Sequence, residues 1–109
     1  MSERFGFNVS AEQGINSLGY ALLGAKKIDE AMIAFQRNVE LYPRSANVYD
    51  SLADGLEAAG NPELAMQNLR KAVEVATQAG DPLLPEFKKH LERLTAAGKT
   101  APGKAGQAK

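Results

Sequence analysis

The sequence predicts an all-α protein: two consecutive helical hairpins followed by one closing helix. Three observations carry that reading. The first is internal repetition. Displaced by 34 residues, Ile15 falls on Tyr49, Leu18 on Leu52, Gly19 on Ala53 and Leu22 on Leu56. The register continues with Ala31 on Ala65, Met32 on Met66, Phe35 on Leu69, Val39 on Val73 and Glu40 on Glu74, a period that suits one helix-turn-helix unit. The second is composition: 44% hydrophobic, 6% aromatic and no Trp, the balance of a small helical protein rather than a β-sandwich. The third is punctuation. Ala59-Gly60-Asn61-Pro62 and Ala79-Gly80-Asp81-Pro82 each stop one helix and start the next, with Gly past the end, Asn or Asp as cap and Pro in the first turn.

Residues 1–10 read as an irregular lead-in whose Phe5 and Phe7 could cover the first helix. Asn8-Val9-Ser10 matches a glycosylation sequon, but Ser10 is better read as a helix cap, with Gln13 reaching back in a capping box. The first helix runs to about Gly24 and buries a stripe of Ile15, Leu18, Gly19 and Leu22. Lys26-Lys27 make the turn. The second helix starts near Ile28 or Asp29, with acids in its first turn as the helix dipole prefers. Its apolar positions are Ala31, Met32, Phe35, Val39 and Leu41, and Pro43 ends it. Ser45 caps the third helix, with Tyr49, Leu52, Ala53 and Leu56 inward. The fourth carries Leu64, Ala65, Leu69, Ala72, Val73 and Val75. The fifth, over 82–97, is apolar at Leu84, Phe87, Leu91 and Leu94, and Gly98 stops it. Residues 98–109 have nothing to bury and read as a disordered basic tail. The helical domain is thus 11–97, with repeats over 12–45 and 46–79.

At 109 residues the chain holds one domain with a modest core. It has no Cys, which excludes disulfides and thiolate chemistry. Formal net charge is zero, which argues against a nucleic-acid binder relying on phosphate contacts. No apolar run reaches the roughly 18 residues of a membrane span, and the first residues do not form a signal peptide. A soluble cytoplasmic module is the expectation. The charge is unevenly spread: residues 46–79 carry Asp50, Asp54, Glu57, Glu63 and Glu74 against only Arg70 and Lys71. After Ala96 come Lys99, Lys104 and Lys109 with no acid.

Leu18-Gly19, Leu22, Ala31, Phe35 and Pro43 resemble the leucine–glycine, large, alanine, aromatic and proline positions of the tetratricopeptide repeat family. The second copy keeps Leu52-Ala53, Leu56, Ala65 and Leu69, with Thr77 where the proline is usual. The resemblance implies a right-handed α-α superhelix of two hairpins with a C-terminal capping helix, and it covers 12–79. Asn38 stands where the second copy has Ala72, so it is expected buried and hydrogen-bonded to the third helix. Lys88 falls on a small-residue site, which implies that the array ends there. Asn16-Ser17-Leu18-Gly19-Tyr20, Asn38-Val39-Glu40-Leu41-Tyr42-Pro43 and the run from Ser45 to Leu52 resemble repeats at the C-terminal end of bacterial serine hydrolases of the esterase and β-lactamase-like kind. The catalytic domain of such enzymes is absent from this sequence.

Little of the sequence suggests catalysis. Gly14-Ile15-Asn16-Ser17-Leu18-Gly19 glances at a hydrolase elbow, but its spacing is off by one and its Ser falls inside a helix. His90, the one imidazole, reads as solvated on the polar flank of the fifth helix. Asp50, Asp54 and Glu57 share a helix face and could hold a divalent cation, but without a ligand loop a charged binding face is preferred. No catalytic residue, metal or cofactor is expected. In the family resembled, the first helix of each pair lines a concave groove. The matching positions are Gln13, Asn16, Tyr20 and Leu23, then Asn47, Asp50, Asp54 and Glu57, with Lys89 and Arg93 following from the fifth helix. A solvated polar face is the plain alternative. If the groove binds, its acidic middle and Tyr20 suit a protein segment or helix with Lys or Arg. Positions matching the carboxylate clamp of chaperone-binding members are Asn16, Tyr20, Ser51, Pro82 and Glu86, and none agrees with it. The expected function is a non-enzymatic protein-interaction module without nucleic-acid or membrane partners. The rival is a detached docking or self-association domain of a larger bacterial hydrolase, with leftover apolar surface favouring a homodimer.

Overall fold

Helix follows helix wherever the sequence supplies a cap and a break. The structure, a computed structural model, describes residues 10–100. It contains α1 (Ala11–Gly24), α2 (Ile28–Leu41), α3 (Ala46–Ala58), α4 (Pro62–Ala79) and α5 (Leu84–Thr100). No strand occurs among the described residues, and no helix there is long and apolar enough to cross a membrane. Phe5, Phe7, the sequon's Asn8 and residues 101–109 lie outside the described residues.

The cap of α1 is the one read from sequence. Ser10 Oγ accepts from the Gln13 N–H at 3.1 Å, and Gln13 Oε1 accepts from the Ser10 N–H at 3.2 Å, satisfying two donors at the helix start. Asn61 Oδ1 accepts from the Leu64 N–H, and Pro62 opens α4. Gly60 and Gly80 take the left-handed conformation. At the position matching Gly60, Lys26 does the same with φ 65°.

Three local expectations fail. Ser45 occupies the cap position of α3 without capping it; its hydroxyl instead donates to the Glu12 carboxylate at 2.5 Å, tying the α2–α3 turn to α1. The fifth helix begins at Leu84 rather than Pro82, because the Asp81 carboxylate accepts from the Leu83 N–H at 2.9 Å and holds a separate turn. It also continues through Gly98 to Thr100, so the interior glycine, at roughly 1 kcal/mol against Ala, does not end it.

Each helix packs on its neighbour in sequence, and α1 also lies against α3. The core is continuous in two parts. Ala31, Phe35, Leu52, Ala53, Leu56, Ala65, Leu69 and Leu94 form one cluster. Ala46, Val48, Tyr49, Ala72, Ala76 and Phe87 form the other, which seats α5. Phe35 is fully buried at the middle of the first. A Cβ on Gly19 of α1 would run into its ring, with Cδ1 and Cζ 2.7 and 2.8 Å away. A Cβ on Gly55 of α3 would lie 2.9 Å from its Cδ2. Two helices therefore approach one aromatic ring closely because both present glycine there.

The stripe on α1 needs correction. Leu18 is 54% exposed, whereas its counterpart Leu52 is 8% exposed. Helix α3 packs against α1, α2 and α4 and carries contacts to α5, while α1 packs chiefly on α2 and α3; Leu18 lies on the open side of α1. Accordingly Leu18→Ala should cost no more than about 0.5 kcal/mol, and Leu52→Ala about 2–5 kcal/mol. Urea unfolding of the two variants checks the contrast. Leu41 and Leu64, also expected inward, are 48% and 41% exposed. Asn38 is buried as expected, but it bonds a different helix: its Nδ2 donates to the Glu12 carbonyl of α1 at 2.9 Å. Lys88 is exposed on the last described helix.

Candidate functional site

The site builds up from α1 and α3, which present successive turns to one side of the molecule. Gln13 and Asn16 of α1 and Asn47 of α3 line an open polar depression together with Glu12 and Ser17. Asn16 Oδ1 is itself buried and has no hydrogen-bond partner, as is Asn38 Oδ1 in the core. One turn further along, Tyr20 stands with its ring edge-on to Phe35, centroids 5.1 Å apart. Its Oη donates to Asp54 Oδ2 at 2.5 Å. Leu23 turns away from this surface and packs on the core, and Lys89 is exposed on α5.

Asp50, Asp54 and Glu57 share a face of α3, as their spacing of four and three requires. Three carboxylates on one face repel, and the structure answers with an imidazole from α5. His90 is not solvated on a polar flank: its side chain is 11% exposed. Its Nδ1 lies 2.7 Å from Asp50 Oδ1, and its Nε2 lies 3.1 Å from Glu57 Oε1 and 3.4 Å from Asp54 Oδ1. Arg93, one turn on, reaches Glu57 at 3.4 Å. The sequence held a signal for this. His90 is three residues after Phe87 and four before Leu94, both buried, so it belongs to the docked stripe of α5.

The electrostatics follow from this packing. Burial pushes the His90 pKa down, but hydrogen bonds to Asp50 and Glu57 and the charges of Asp50 and Asp54 outweigh it and hold it above the ordinary imidazole value. Burial raises the Asp54 carboxyl; the Tyr20 hydrogen bond and His90 pull it back, Asp50 and Glu57 push it up, and the net direction is upward. Burial, followed by its bond to Asp54, raises the Tyr20 phenol.

A raised His90 pKa means that the folded chain holds this proton more tightly than the unfolded chain does. The stabilisation is complete below the unfolded imidazole value near 6.5 and disappears as pH climbs through the folded value. In chelator-containing buffer, the urea midpoint should fall as pH rises above about 6.5, and His90→Gln should flatten that slope. With a single His in the chain, a ring-proton titration measures the folded pKa directly.

The Gly14–Gly19 stretch lies wholly inside α1, on no strand-to-helix turn, so Ser17 lacks the sharp exposed turn that an elbow nucleophile occupies. Against known proteins, the chain matches no family model, no curated protein and no solved structure.

Proposed function

We infer that the chain is a non-enzymatic protein-interaction module, built as two hairpins of tetratricopeptide type stacked in a right-handed superhelix and closed by α5. Its surface over α1 and α3 takes a segment or helix carrying Lys or Arg. The observation that supports this most is the side-by-side placement of α1 and α3, fixed by the Tyr20–Asp54 hydrogen bond. It sets a polar depression lined by Gln13, Asn16 and Asn47 beside an aromatic ring and three carboxylates. The carboxylates, already engaged by His90 and Arg93, would attract basic residues through their remaining charge.

Fluorescence anisotropy with defined Lys/Arg-rich peptides, and Glu-rich peptides as controls, tests the reading. Basic peptides should bind, more weakly at higher salt, and Asp50→Lys/Asp54→Lys should weaken them at least about 10-fold. Equal binding of acidic peptides, or a folded double variant with unchanged affinity, would contradict it. A second reading, self-association as the docking piece of a larger hydrolase, draws on the exposed Leu18 and Ile33 of the first hairpin. Sedimentation velocity separates the two, since only self-association makes the mass depend on concentration.

A further inference from the structure

The acidic face of α3 and the imidazole of α5 make more than an ion pair. Asp54, Glu57 and His90 each offer a donor atom, and the three lie within 4.8 Å of one another. His90 Nε2 is 3.1 Å from Glu57 Oε1 and 3.4 Å from Asp54 Oδ1. Ligands of one tetrahedral ion, at about 2.1 Å from the metal, stand roughly 3.4 Å apart. The two separations from His90 Nε2 are therefore those of co-ligands.

Each is also held from behind by a different residue. Asp50 takes the Nδ1 side of His90 at 2.7 Å. Tyr20 donates to the other oxygen of Asp54 at 2.5 Å. Arg93 pairs with both oxygens of Glu57, Nη1 with Oε2 and Nη2 with Oε1, each at 3.4 Å. Metal ligands are oriented by such outer bonds, above all a histidine that gives its second nitrogen to a carboxylate.

The charge count points the same way. An imidazolium leaves one negative charge uncompensated among Asp50, Asp54, Glu57 and Arg93. A dication beside a neutral imidazole leaves none.

We propose that Asp54, Glu57 and His90 bind a divalent transition-metal ion of the zinc class, leaving a fourth position to solvent. One imidazole and two carboxylates suit Zn²⁺, whereas Ca²⁺ and Mg²⁺ call for six or more oxygens or a strict octahedron. The site needs no partner chain, but it shares Asp54 and Glu57 with the proposed peptide-binding face, whose negative charge a bound ion would cancel.

The test uses the full chain, stripped with chelator and titrated with ZnCl₂ alone, while the ring signals of its single His are recorded. They should shift and saturate at one equivalent, and MgCl₂ should leave them in place. Glu57→Gln should weaken Zn²⁺ binding more than about 100-fold, and Asp50→Ala, which removes no ligand, about 10–100-fold. His90 signals that stay fixed through excess ZnCl₂ would overturn the proposal, and so would unchanged affinity in folded Glu57→Gln. The wild-type signals decide even where a variant fails to fold.

Discussion

Phe35→Ala lowers the unfolding free energy by about 3–5 kcal/mol, a large fraction of the total for a chain of this size, given roughly 0.05–0.15 kcal/mol per residue. The side chain is fully buried, and α1, α2 and α3 meet at its ring. Gly19 and Gly55 flank it so closely that neither would accept a methyl without movement, and Tyr20 meets its edge. Removing the ring therefore leaves a cavity bounded by backbone, which closes only if the helices shift. Urea unfolding followed by far-ultraviolet circular dichroism measures the loss. A cost below about 1 kcal/mol would mean that the first hairpin does not pack on the second through this ring. The reverse perturbation, Gly19→Leu, should destabilise by overpacking the same place.

Phe87→Ala costs about 3–5 kcal/mol as well, and its effect reaches the candidate site. Phe87 is 2% exposed among Ala46, Val48, Tyr49, Ala72 and Ala76, where it docks α5 on the second hairpin. His90 lies one turn further along the same face, so loosening Phe87 releases the imidazole from Asp50 and Glu57. Two readouts follow: a lower urea midpoint, and a His90 pKa that falls back toward the ordinary imidazole value. Loss of stability with an unshifted His90 titration would separate the packing of α5 from the position of its imidazole.

Much of the helix layout could be read directly, because caps and breakers are local. Ser10 with Gln13, Asn61 with Pro62, and Gly80 act within a few residues, and each does in the structure what its chemistry suggests. Burial was harder to read where it depends on neighbours. Leu18 and Leu52 carry the same pattern, yet only α3 has helices on enough sides to cover its leucine. Ser45 had the right type and place for a cap, and was taken instead by Glu12 from a different helix. Gly55 drew no attention in the sequence, although a glycine inside a helix costs roughly 1 kcal/mol and so asks for a packing reason. Phe35 supplies one. The largest miss was His90, whose spacing to Phe87 and Leu94 marks a buried face while its polarity suggests an exposed one. Resolving that conflict takes knowledge of the three carboxylates on α3 that it meets.

Mapping backbone amide shifts while a Lys/Arg-rich peptide is added examines most directly whether α1 and α3 form one binding surface. The largest changes should cluster at Gln13, Asn16, Tyr20, Asn47, Asp50 and Asp54. Changes gathered instead on the far faces of α2 and α4, around Ile33 and Arg70, or none at saturating peptide, would contradict it.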